Sequence, residues 1–416
     1  MSSRLYYGWV VLAAAFVVIT MAIGTLFTLG VFLKPIEDSM GWGRSGIGAI
    51  SFFNWFVMGL GGLVSGFVAD RVGTRRVVLV GAVLLATGLM LSSHVQQIWQ
   101  LYVSFGLLVG AGVSTFYVPL TLLAIKWFEG RRGMAAAVVS SGNGLGILTL
   151  APLTRWLITQ YDWRVAFFVL GSIALVVVIP CALLLRNPES ASAPGATRSS
   201  PHAHGGRGPA VVAPGAVQSP WASWPFWAIA LTNFCCCAAH SGPLFHLVSH
   251  AIDQGVGRMV AASMLGVSGL TSIVGRIGAG ITGDHLGAKR TLLAALTAQS
   301  LLVFAYLFAV GVGPLYLLSV AFGLAYGGAM PLYAVVTREY FGEQVMGTAY
   351  GAVFFISCIG MGLGSYAGGA IHDALGSYQG LFLGSFVIGA MAVVLGVTLK
   401  PPLARRAPRP GLALGG

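Results

Sequence analysis

The stretch GLTSIVGRIGAGITGDHLGAKR, residues 269 to 290, carries one residue whose chemistry does not suit its neighbours. Arg276 sits among glycines and aliphatic residues, more than a helical turn from any acid. A planar guanidinium matches a carboxylate through two parallel hydrogen bonds, so the chemistry such a residue offers is anion capture. All 11 acidic residues of the chain fall at the ends of apolar runs or between them, which leaves no resident counterion at the depth of Arg276. Asp284 lies two turns on, roughly 12 Å by helical rise. The missing partner is therefore expected to be a bound anion, and one arginine neutralises one charge. A monoanion is favoured over a dianion.

The elements that position this arginine follow from composition. Of 416 residues, 56% are hydrophobic and 8% charged, with 59 glycines, far from the make-up of a soluble domain. A membrane-crossing helix needs about 20 apolar residues, and about twelve such runs follow one another. They are continuous rather than alternating, which predicts helices and excludes a barrel. The fourth run is expected over 98–125, and the tenth and eleventh over 314–337 and 345–369. The first run is too long for a signal segment and reads as a retained span. The net charge of +12 tracks topology rather than nucleic acid: most basic residues fall in the segments on one side, so both termini are expected in the cytoplasm. Cys235, Cys236 and Cys237 are consecutive on one helix and point about 100° apart, which suits packing and not a shared metal. No cofactor or metal is expected.

The chain divides at a Pro, Gly, Ala and Ser-rich segment. The expected organisation is a six-helix bundle over 1–186, a cytoplasmic linker over 187–223 containing the solvated His202 and His204, a second six-helix bundle over 224–400, and a cytoplasmic tail over 401–416. One constant shift carries Gly41 to Gly255, Arg44 to Arg258, Gly66 to Gly280, Asp70 to Asp284, Gly73 to Gly287 and Arg76 to Arg290. The halves are parallel repeats, an arrangement in which a site lies between them near the bilayer midplane. Arg276 falls opposite Gly62, so this charge has no counterpart.

The doubled pattern GFVADRVGTRR and GITGDHLGAKR, with Gly66, Asp70, Arg71, Gly73, Arg75 and Arg76 in the first copy and Asp284 and Arg290 in the second, resembles the loop between helices 2 and 3 of the major facilitator superfamily. Within it, WFEGRRGMAAAVVSSG (Trp127 to Gly142), YYGWVV (Tyr6 to Val11) and VFLKPIE (Val31 to Glu37) are similar to segments of the monocarboxylate carrier and oxalate-formate antiporter branch. The resemblance implies an all-α membrane protein of twelve transmembrane helices in two six-helix bundles. It implies a secondary transporter of small monocarboxylates such as lactate or pyruvate, coupled to protons and working by alternating access, monomeric, in the inner or plasma membrane. It also places Arg276 at the family's substrate arginine. Pocket walls are implied at Tyr117, Tyr326, Asn143, Phe355, Ser357, Cys358 and Phe27. The dianion-carrying relatives keep a lysine in helix 11, whereas Gly347 to Gly369 has no basic residue.

The pattern departs from the animal carriers where they keep an aspartate, here Ser272, and a lysine, here Phe27. Those departures remove the residues through which a proton would couple, and the substitutes expected are His240 and Asp253. An exchanger of organic anions, a carrier of another carboxylate, and a membrane sensor that binds without transport are the competing readings. No ATP-binding loop, metal spacing or paired carboxylates point to an enzyme.

Overall fold

The computed structural model describes residues 3–128, 132–188 and 223–399. His202 and His204 of the predicted linker, and the predicted tail, lie outside them. The described residues form helices: α1 (Ser3–Met40), α2 (Arg44–Val72), α3 (Thr74–Ser92), α4 (Ile98–Leu101), α5 (Gly110–Ser114), α6 (Tyr117–Trp127), α7 (Arg132–Gln160) and α8 (Trp163–Leu184), then α9 (Trp224–Asp253), α10 (Arg258–Leu286), α11 (Ala288–Ala305), α12 (Val312–Leu375) and α13 (Gln379–Thr398). Among the described residues, eleven segments are long and apolar enough to cross a bilayer. With α7, 29 residues long, the described residues supply the twelve crossings of the expected fold. Large apolar side chains such as Val176, Val310, Leu317 and Phe308 stay exposed on the outer faces, where lipid covers them.

Two expected runs take a different form. The fourth is not a regular helix: α4 passes into a π-helix over Tyr102–Val109, returns to α-helix, and turns at Thr115 and Phe116 before α6 begins at Tyr117. Asn54 of α2 donates to the Phe105 carbonyl at 2.7 Å and braces the widened stretch from the neighbouring helix. The tenth and eleventh runs are joined, because α12 is helical over 64 residues. It nevertheless crosses twice. Its first arm runs against α9, with Tyr326 stacked on His240 and Tyr333 bonded to the Thr232 carbonyl. Its second arm runs with α9, with Gly360 against Phe234, Gly364 against Ala238 and His246 against Ser365. The chain reverses between these arms without leaving helical geometry.

The repeat read from sequence is visible in the backbone. α2 and α10 are each 29 residues long and begin at the paired Arg44 and Arg258. Both end on glycines in the same unusual conformation, Gly73 at φ 90° and ψ 139° and Gly287 at φ 92° and ψ 138°. Each donates its N–H four residues back, to Ala69 at 3.0 Å and to Gly283 at 2.9 Å. The positive φ explains why the turn of the doubled motif carries glycine. The other glycine of the motif is less symmetric: Gly66 packs near Val118, while around Gly280 there is open space. Arg75, Arg76 and Arg290 are exposed. The side chains of Asp70 and Asp284 are outside the described set.

Among the described residues, the halves pack backbone to backbone along three helix pairs. α1 meets α9 where Gly30 touches the Phe245 backbone, and α2 meets the second arm of α12 from Arg44 and Gly369 to Gly59 and Cys358. α7 meets α10 where Gly144 and Gly269 face each other; a Cβ on Gly269 would lie 2.7 Å from the Gly144 carbonyl oxygen. The end at which α2 starts and α12 finishes is thus sealed, and the end that carries residues 188 and 223 lies opposite.

Gly287→Ala should lower the thermal midpoint of the detergent-solubilised protein by the equivalent of about 1 kcal/mol, because alanine is strained at positive φ. Gly280→Ala, in open helical surroundings, should leave it unchanged or raise it slightly. Equal shifts for the two variants would contradict the turn geometry.

Candidate functional site

Arg276 sits on α10 two turns beyond the Gly144 and Gly269 contact and is half-buried. Its Nε is buried without a hydrogen-bond partner, and no carboxylate pairs with its guanidinium among the described residues. Four groups from both halves lie within electrostatic reach of it: Tyr117 of α6, His240 of α9, and Tyr326 and Tyr350 of the two arms of α12. Tyr117 is stacked on Phe354 at 5.5 Å, and Tyr326 on His240 at 5.4 Å. The Tyr326 hydroxyl is a second buried orphan, facing Ser272 and Ser268 without the geometry of a bond to either. A third is the Asn143 carbonyl oxygen, beside the Gly144 contact.

Orphaned polar atoms in an apolar interior are costly, about 1–3 kcal/mol each. With the Ser268 hydroxyl, four of them lie at or beside the seam between the halves, one belonging to a cation, and none has a hydrogen-bond partner among the described residues. The His240 ring is satisfied at one nitrogen. Its Nδ1 lies 2.8 Å from the Cys236 carbonyl, which can only accept, so Nδ1 carries the proton and Nε2 keeps the lone pair.

The other predicted wall residues have the following neighbours, and Cys358 is within electrostatic reach of Tyr117 and Tyr350. Ser357 donates to the Phe354 carbonyl of its own helix at 2.7 Å. Cys358 and Phe355 pack on α2 at Gly59, with Phe355 also 6.0 Å from Phe56. Phe27 meets Trp55 edge-on at 6.0 Å. Of the four, Cys358 and Phe355 sit at a close helix contact. Cys235, Cys236 and Cys237 are buried. Tyr350, which sequence reading did not single out, joins the ring around Arg276 because the reversal of α12 brings its second arm back past α9.

Asp253 is not near Arg276, and it does not pair with Arg258, which instead lies 4.0 Å from Asp38. It anchors a lock at the sealed end. Arg44, only 2% exposed, donates to Asp253 from Nη1 at 2.5 Å and Nη2 at 3.0 Å, and from Nε to both oxygens of Glu37 at 3.0 Å. Its Nη1 also donates to the Tyr378 hydroxyl at 2.7 Å. The His246 Nε2 is 2.9 Å from the Ser365 carbonyl and must donate, so Nδ1 accepts the Tyr378 proton at 3.1 Å. Burial raises the Tyr378 hydroxyl above its ordinary pKa against the pull of Arg44, which keeps that proton in place. Asp373 completes the lock. It accepts from the backbone N–H groups of Arg44 at 3.1 Å and Ser45 at 2.8 Å, capping α2 from the other half of the molecule.

The two aromatic motifs singled out in the sequence meet at the opposite end. Tyr7 lies 5.8 Å from Trp127 and Trp9 5.0 Å from Phe128, while the Tyr7 hydroxyl and Trp127 indole donate to the Leu184 and Arg186 carbonyls. They join α1, α6 and the end of α8 into one corner.

The profile of the Major Facilitator Superfamily matches residues 12–365. The chain belongs to that superfamily. Its curated relatives in the superfamily include monocarboxylate transporter 13 of Bos taurus, 28% identical over 396 residues, covering 94% of this chain and 89% of that one. Monocarboxylate transporter 11 of Homo sapiens is 29% identical over 407 residues, covering 95% and 84%. Monocarboxylate transporter 3 of Rattus norvegicus is 29% identical over 397 residues, covering 94% and 79%. The superfamily fold is also that of a bacterial homolog to the human lysosomal transporter Spinster. Its occupied inward-facing structure gives a TM-score of 0.72 at 14% identity, covering 95% of this chain and 97% of that one. The unoccupied form gives 0.69 at 15% identity. The protein is therefore a multi-pass transporter of the superfamily and not an enzyme, and the curated relatives named above are monocarboxylate transporters.

Arg44→Gln removes the cation shared by Asp253 and Glu37 and should lower stability by about 1–2 kcal/mol, less than for a fully buried pair, because both carboxylates are partly exposed and Glu37 keeps Lys34. Asp373→Asn should cost less, since its bonds go to backbone groups and the amide oxygen can still accept one. Thermal unfolding in detergent reads both.

Proposed function

We propose that the protein carries a small monocarboxylate, of the lactate or pyruvate kind, across the plasma or inner membrane together with a proton, by alternating access. Both termini and the segment near 187–223 are placed in the cytoplasm, and the working unit is a monomer. The observation that carries the reading is Arg276: a cation at the seam with a buried Nε lacking a partner and no carboxylate paired to it among the described residues. The relatives named as monocarboxylate transporters support the substrate class.

The chemistry follows from the groups present. The guanidinium binds the carboxylate through its fork, and the Tyr117 and Tyr326 hydroxyls, with the Asn143 amide, bond the remaining oxygens. The stacked rings of Tyr326 and His240, and of Tyr117 and Phe354, limit the size of the guest. With one cation in the site, a monoanion is bound neutral and a dianion would leave a buried negative charge. Asp253 is occupied by Arg44, so the proton falls to His240, whose Nε2 lone pair is the available base. The seal at the Arg44 end and the half-exposed Arg276 support a carrier whose site faces the cytoplasm in this conformation.

In proteoliposomes, Arg276→Ala should reduce labelled lactate or pyruvate uptake by about a hundredfold or more, the scale of losing one partner of a desolvated charge pair. Its melting temperature should stay close to wild type. Full activity of that variant would remove the site. Uptake should rise with an inward proton gradient and fall when the gradient is collapsed. Uptake indifferent to the gradient, but driven by formate or chloride loaded on the other side, would replace symport with exchange.

A further inference from the structure

Arg155 is a second guanidinium whose charge the fold does not neutralise. It lies on α7 near the sealed end, only 3% exposed. Its Nε donates to the Thr159 hydroxyl at 3.2 Å, and that hydroxyl donates back to the Arg155 carbonyl at 2.8 Å. The remaining nitrogens have no hydrogen-bond or ion-pair partner among the described residues. The residue lines a cavity of about 480 Å³ together with Lys34, Asp38, Thr159 and Arg258.

The charges around this cavity do not balance. Three cations face it with one carboxylate. Asp38 is taken by Lys34 at 3.2 Å and lies 4.0 Å from Arg258, so it is not available to Arg155. Glu37, the other acid on Lys34 at 3.0 Å, is also bound by Arg44. Cations gathered around a partly enclosed space repel one another, and a bound anion relieves that repulsion. The geometry is also divided between the halves: Lys34 and Arg155 come from α1 and α7, and Arg258 from α10. Arg258 and Arg276 are 18 residues apart on α10, roughly 27 Å by helical rise, so this cavity is separate from the Arg276 site.

We infer that the cavity is a second anion site, which takes a small carboxylate or inorganic oxyanion on the Arg155 fork, with Lys34 and Arg258 at its rim. Because the ligand touches both halves, it favours the conformation in which this end is sealed. The inference stands on Arg155 and its neighbours and does not depend on what Arg276 binds.

The test uses Arg276→Ala protein in a neutral detergent, so that the central site does not contribute, with acetate and inorganic phosphate as probes and calorimetry as the readout. This background should retain salt-sensitive anion binding. Adding Arg155→Gln should weaken that binding about tenfold or more, and Arg155→Lys less, because lysine keeps the charge and loses the fork. Arg258→Gln, at an exposed rim position where misfolding is not a concern, should weaken it about threefold. The inference is overturned if Arg276→Ala binds no anion while wild type does, or if neither Arg155→Gln nor Arg258→Gln changes the affinity. Should Arg155→Gln not fold, Arg155→Lys and Arg258→Gln decide: affinities equal to the background overturn it. Displacement of acetate by added phosphatidylglycerol would assign the site to a lipid phosphate and overturn the assignment to a soluble anion.

Discussion

Charge placed inside an apolar bundle must be paired, hydrated or given a ligand, and the whole seam of this protein is organised by how three arginines meet that demand. Arg44 meets it internally. Two carboxylates, a tyrosine hydroxyl and the start of its own helix hold it between the halves. Arg155 and Arg276 are not paired this way. One resident lock and two uncompensated cations thus follow one another from the sealed end to the middle of the molecule.

The lock is a directional network rather than a set of contacts. A proton donated by Arg44 obliges Tyr378 to pass its own to His246, which passes its own to Ser365. Each donor is fixed by the acceptor before it, so the arrangement has one consistent hydrogen pattern. Asp373 adds a cap on α2 supplied by α12, which means the first turn of α2 is finished by the last turn of α12 from the other half. Opening this end therefore exposes an uncapped helix start as well as an ion pair.

The fold was largely legible because membrane burial leaves few alternatives: long apolar runs become helices, and the doubled glycine and aspartate pattern marked both the repeat and its turns. Arg276 was legible for the same reason, as a lone charge in an apolar run. What the residues alone did not reveal was the pairing of charges at helix ends. Arg44 and Arg258 are equivalent in the repeat, yet one is buried and the other exposed, because only Arg44 meets Asp253 across the seam. Depth along a run said nothing of the side that Cys358 and Phe355 face, which close packing on Gly59 decides. His246 and Tyr350 were missed because each acts through a partner more than a hundred residues away or through the reversal of α12.

The π-helix over Tyr102–Val109 has a consequence for reading related chains. Widening a turn from four residues to five stores one surplus residue, and everything beyond it is rotated about the helix axis by roughly 100° relative to an unbroken α-helix. Tyr117 follows that stretch, so its bearing depends on the surplus being present. A relative that differs by a single-residue deletion in this span could aim an identical tyrosine at lipid, and a gap-free comparison of the fourth crossing would hide it.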